Sequence, residues 1–157
     1  MTSHRPTRSA AILSVTLLAI ALATVPVSGQ SPPTIGRVKI ATGAAFVVRA
    51  GTSLPATPGL TLLETDSLKT GADGRLGVSL NDDTRISLGP DSEARLTRYR
   101  YAPSDGALAL VLNFIRGAAV YTSGQIAKLS PDAVRLETPA AIVGVRGTTV
   151  ALRVVGE

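Results

Sequence analysis

From Leu76 to Leu96 apolar and polar residues alternate along the chain. Leu76, Val78 and Leu80 interleave with Arg75, Gly77 and Ser79, and Ile86 and Leu88 with Arg85 and Ser87. Ala94 and Leu96 follow on the same parity. A period of two belongs to a strand with one buried and one wet face. Asn81-Asp82-Asp83 and Gly89-Pro90-Asp91-Ser92 separate the runs, so strand and turn repeat about every ten residues, the spacing of a small all-β fold. Further strands are predicted at 38–40, 45–49, 117–124, 134–138 and 148–155. Residues 54–59 hold Pro55 and Pro58, whose missing N–H groups exclude a central strand. Residues 107–115 are apolar on both parities, as in a strand covered on both faces; a helix is the rival, because Ala and Leu favour helices. The expectation is an all-β single domain of short antiparallel-type strands, forming a sandwich, a roll or a short solenoid-like stack. Only 3% of the chain is aromatic, so its core must come mainly from Leu, Val, Ile and Ala.

The N-terminus departs from this pattern. Arg5 and Arg8 precede an uncharged apolar run over 10–23, and the small residues of Val27-Ser28-Gly29 follow. Charge, apolar run and small-residue site form a secretory signal, and the run is short for a membrane span, which takes about 20 residues. Residues 1–29 are therefore expected to be a signal peptide cleaved before Gln30, with a second possible site after Ala23. If the segment is retained, the uncharged run reaching Gly29 is instead a membrane anchor. Residues 30–35, with two prolines, read as a linker, and 36–157 as the domain. The protein is expected to be periplasmic or secreted.

Composition then removes whole classes of chemistry. There is no Cys, and the single His, His4, lies in the signal. A Ser-His-Asp triad, a Cys-His pair, a disulfide and any His- or Cys-ligated metal site are thereby excluded from the exported part. The net charge of +5 falls to about +3 without Arg5 and Arg8, a modest basicity. Nucleic acid is not an expected partner outside the cytoplasm, whereas anionic envelope polymers can be attracted at long range.

The remaining polar groups have mainly local explanations. Asn81-Asp82-Asp83-Thr84 lacks the spaced ligands and closing Glu of a calcium loop and fits a hairpin turn. Glu64 with Asp66, or Asp91 with Glu93, would need a fixed separation across a cleft to act as hydrolase carboxylates. No catalytic, cofactor or metal site is expected. Arg95, Arg98, Tyr99, Arg100 and Tyr101 are the candidate partner-binding cluster, the arginines at 98 and 100 alternating with the tyrosines. The alternative for this cluster is a strand end blunted by charge. Arg146, between Gly144 and Gly147, is expected to be a semi-buried tie within a closing turn.

Several short motifs occur in a definite order: Gly36-Arg37-Val38, Asp66-Ser67-Leu68-Lys69-Thr70-Gly71 and Asp82-Asp83-Thr84. Thr138-Pro139 and Val145-Arg146-Gly147-Thr148-Thr149-Val150 follow. Together they resemble the FecR domain, whose pattern carries Gly where this chain has Thr65 and Asp83. The resemblance marks Asp66, Thr70, Gly71, Asp83, Thr84, Thr138, Pro139, Arg146, Gly147 and Thr148 as family-motif positions. It implies a periplasmic all-β domain of a Gram-negative-type bacterium that binds or scaffolds a protein or cell-envelope partner, without catalysis and linked to surface signalling. Two alternatives remain: a small glycan- or peptidoglycan-binding module, and a membrane-tethered regulator should the N-terminal segment be retained.

Overall fold

The computed structural model describes Thr2 and residues 32–155. The expected signal peptide, Thr2 apart, and Gln30 and Ser31 of the expected linker lie outside the described residues. Pairing begins with β1 (Thr34–Thr42), two residues ahead of Gly36, and continues through β2 (Ala45–Arg49), β3 (Thr52–Pro55), β4 (Thr61–Leu63) and β5 (Ser67–Thr70). Next come β6 (Arg75–Leu80), β7 (Arg85–Leu88), β8 (Glu93–Ala102) and the long β9 (Ala107–Thr122). After the short helix α1 (Gln125–Leu129), β10 (Val134–Glu137), β11 (Ile142–Gly144) and β12 (Thr149–Val154) complete the chain. The fold is all-β, as the alternation implies, and its strands form one curled sheet, a half-barrel.

β9 is the spine of that sheet. The main path runs β3-β2-β5-β8-β9-β7-β6-β1-β4. The first part of β9 pairs with β8 on one edge and with β10 on the other, and its last six residues pair with β7 and β12. The change of neighbours falls at Gly117, which has φ +87° and no room for a Cβ, since one would lie 2.3 Å from Ser92 Oγ. Residues 107–115 are thus strand and not helix, and they continue unbroken into the segment expected as a separate strand at 117–124, β9 ending at Thr122. The β9–β10 pair is parallel; the other pairs are antiparallel. Pro55 sits in β3, an edge strand, where a missing N–H is tolerated.

The sequence alternation becomes rows of side chains across the inner face. Val78, Ile86, Tyr121 and Val150 are successive cross-strand neighbours, as are Leu76, Leu88, Ala119 and Leu152. Leu110, Leu112, Phe114, Leu96, Leu68 and Val47 extend the core beneath β8, β5 and β2. Burying such side chains is the main driving force, at about 1.5–3 kcal/mol each.

One irregularity redirects the candidate cluster. Between Leu96 and Arg98 the β8–β9 register slips by one residue, a bulge, and such an insertion reverses the facing of all that follows. Ala94 and Leu96 point inward on even numbers; beyond the bulge Tyr99 points inward on an odd one.

Candidate binding surface

Five of the motif residues, Asp66, Thr70, Gly71, Thr138 and Thr148, are staples of the turns. Asp66, 1% exposed, accepts from Arg49 Nε (3.0 Å) and Nη2 (2.7 Å) and from the Leu63 amide (2.9 Å). Thr70 Oγ1 donates to Gly89 O at 2.6 Å and accepts from the Ser92 amide at 2.9 Å, locking the β5 end onto the β7–β8 turn. Gly71 donates its N–H to Ala44 O at 2.7 Å, so close that a Cβ would meet the Ala44 methyl at 2.9 Å. Thr138 closes the β10–β11 hairpin around Pro139: its N–H and Oγ1 donate to Ala141 O, and Oγ1 accepts from the Ala141 amide. Thr148 exchanges hydrogen bonds with Ser123, donating its amide to Ser123 Oγ at 3.1 Å and accepting at its carbonyl.

Asp82 is the most enclosed charge, 0% exposed. Its Oδ2 accepts from Thr84 Oγ1 at 2.8 Å and from the Ile126 amide at the start of α1, and its Oδ1 accepts from Tyr99 Oη at 3.2 Å. Tyr99 Oη in turn accepts from the Asp82 amide at 2.9 Å. Burial, reinforced by the adjacent carboxylate, pushes the Tyr99 phenol above its ordinary range. Tyr121 Oη is buried nearby; Ser123 and Thr84 are its polar neighbours, but no group reaches hydrogen-bonding geometry with it. This network joins the β6–β7 turn, β8 and α1 in the core, which a reading of Asp82 as a turn residue does not anticipate. Among the described residues there is no group of three or more side chains placed to hold a metal.

The other carboxylates have structural partners too. Glu64 Oε1 accepts the Tyr99 amide at the β8 bulge (3.1 Å), and Glu93 pairs with Lys69 at 3.1 Å and Arg116 at 3.8 Å. Asp91 occupies a left-handed turn position at φ 49°.

Two of the residues singled out from sequence require correction. Tyr99 is buried at 6% exposure and held by Asp82, so it belongs to the core and presents nothing to a partner. The bulge explains why: it turns the odd positions inward. Arg146 is exposed, not semi-buried, and ties nothing among the described residues; its neighbour Val145 is the residue that enters the core, at 2% exposure. Gly147 does take a left-handed angle, φ +54°. Arg95, Arg98 and Arg100 are exposed and Tyr101 is half-buried. Arg95 Nε donates to Ser67 Oγ at 3.1 Å.

Charge is segregated by element. Of the fourteen Lys and Arg among residues 32–155, all but Lys128 and Arg146 lie in strands; of the ten Asp and Glu, only Glu93 and Glu137 do. Arg49, Lys69 and Arg116 are ion-paired, which leaves nine strand cations without a carboxylate partner among the described residues. On the β8 side Arg98 and Arg135 flank Val111 across three adjacent strands. The outer faces of the sheet are thus cationic, while acidic residues gather in the turns at its ends.

The family model described as FecR protein matches residues 66–157, more than half of the 157-residue chain, and the chain belongs to that family, a non-enzymatic, envelope-signalling-related one. β1 to β4 lie before the matched residues yet pair into the same sheet, β1 with β6 and β2 with β5. No curated protein and no solved structure matches the chain significantly.

Proposed function

We propose that this is an exported, non-enzymatic binding domain, periplasmic or secreted, that presents the outer faces of its sheet to a protein partner in envelope signalling. The observation that carries the reading is the set of strand cations without carboxylate partners, with Arg98 and Arg135 beside Val111 on the β8–β9–β10 face. Charge held unpaired on a sheet face favours an acidic surface and speeds its encounter. Because Arg is a bidentate donor to carboxylates, a protein with exposed Asp or Glu suits this face. The same arginines favour a second reading, an anionic envelope glycan.

The test has two parts. Intact mass after separation of soluble periplasm from membranes should give a soluble species beginning near Gln30; a full-length membrane-bound species would make the protein a tethered regulator. A photo-crosslinker at Arg98 or Arg135 in living cells should then trap a discrete protein adduct. An adduct collapsed by peptidoglycan hydrolase would transfer the reading to the glycan, and no adduct at either position would sink both.

A further inference from the structure

The other half of the sheet carries a second surface with its own chemistry. On the outer side of β1, β6, β7, β9 and β12, the residues Ile40, Gly77, Ser87, Val120 and Ala151 form one row of cross-strand neighbours. They line a trough of about 520 Å³. Ile40 is 63% and Val120 42% exposed, two apolar side chains standing above a floor that carries almost no side chain. Arg75 and Arg153 line the same trough. Arg37 and Arg85 flank Ser79 in the row on the other side. None of these four arginines has a carboxylate partner among the described residues.

Gly77 makes this shape costly to the fold. Its φ is not positive, and a Cβ there would meet Ile40 Cβ at 3.5 Å, an ordinary contact. Neither conformation nor space requires glycine at this point, and glycine inside a strand weakens it. What its absent side chain does provide is the open floor between Ile40 and Ser87.

We propose that this trough receives an extended segment of a protein partner in which aliphatic residues are interspersed with Asp or Glu. The proposal deepens the protein-binding reading above and rests on it, adding a second contact on a different face. The apolar centre fits aliphatic side chains against Ile40 and Val120, and arginines on both flanks fit carboxylates on either side of them. Five strands spaced about 4.8 Å apart give a trough roughly 19 Å long, room for about six extended residues. An anionic glycan or lipid headgroup would engage the arginines but has no use for the apolar centre, and the trough is lined by no aromatic side chain on which a sugar could stack.

The test uses the whole chain and two short fluorescent peptides of equal charge, one in which Val is interspersed with Glu and the other with every Val replaced by Ser, followed by anisotropy. The Glu-Val peptide should bind about tenfold or more tightly than its partner, with the preference lost in Ile40→Thr/Val120→Thr. Arg75→Gln/Arg153→Gln should weaken binding and flatten its salt dependence. Gly77→Val separates a binding role from a structural one: it should raise the melting temperature while weakening the Glu-Val peptide about tenfold. Equal affinity for the two peptides, no binding of either, or unchanged binding by Gly77→Val overturns the proposal. So does displacement of the peptide by polygalacturonate or phosphatidylglycerol vesicles that bind without regard to Ile40 and Val120. If a protein adduct forms at Arg98 in cells but neither peptide binds, or both bind equally, the binding function stands and only the trough assignment falls.

Discussion

Thr65 is held where a threonine should not be, and replacing it with glycine should stabilise the protein. Asp66 N donates to Leu63 O at 3.2 Å, closing a turn in which Thr65 is the third residue with φ 75° while Glu64 keeps a negative angle. A positive angle at that position alone defines a type II turn, which favours Gly there. A β-branched residue at positive φ is a true outlier, and the clash of its Cβ with the backbone costs about 1–2 kcal/mol. Thr65 is exposed, so no packing offsets the strain. Glycine relieves it but loses about 0.5–1 kcal/mol through greater freedom in the unfolded chain. The net gain is about 1 kcal/mol, a rise of roughly 4 °C in Tm for a domain of this size. Asp83 provides the internal control. It closes the β6–β7 turn at φ 66°, but Asp tolerates this region, so Asp83→Gly should change stability by no more than about 0.5 kcal/mol. Urea titrations of both variants at equal m-value decide the matter. A loss of stability in Thr65→Gly, or an equal gain in Asp83→Gly, would refute the argument. The pairing also gives a physical reason for the glycines of the FecR pattern at these two places.

Other consequences can be checked by equilibrium unfolding. Asp66→Ala strands the Leu63 amide and breaks a bidentate pair, and should cost about 3 kcal/mol; the cycle with Arg49→Met should show coupling of about 1–2 kcal/mol, because Arg49 remains 30% exposed. A coupling near zero would mean that the amide bond alone matters. Gly117→Ala forces a Cβ into Ser92 and Asp91 at a left-handed angle and should cost more than about 3 kcal/mol or prevent folding; a silent substitution would show that β9 can shed its bend. Burial raises the Tyr99 and Tyr121 phenols in the folded state, whereas unfolded phenols ionise near pH 10. Above that pH the unfolded chain binds fewer protons, so stability should be level below about pH 10 and then fall by about 1.4 kcal/mol per pH unit for each tyrosine. Tyr99→Phe should lower stability at neutral pH and roughly halve the alkaline slope; an unchanged slope would assign the effect elsewhere.

The class of fold was legible because it depends on local rules. The pleat points successive side chains to opposite sides, so Leu76, Val78, Leu80, Ile86 and Leu88 declare the inner face of β6 and β7 without reference to any partner. Asn, Asp, Gly and Pro mark the turns because their backbones suit them, and the FecR motifs follow those turns, where Asp66, Thr70, Thr138 and Thr148 act as hydrogen-bond staples. What alternation cannot register is a single inserted residue. The bulge after Leu96 carries Tyr99 into the core beside Asp82, and no period within β8 announces it. Nor can composition reveal where charge goes: a modest net charge becomes a cationic outer face only when strands are set side by side and the acidic residues remain in the turns. Residues 40, 77, 87, 120 and 151 are scattered through the chain and become one row by register alone. Sequence by itself determined which side of β6 and β7 is dry, since that follows from geometry between neighbours in the chain. Only tertiary structure decided which wet residues meet, because cross-strand contact is set by pairing between distant segments.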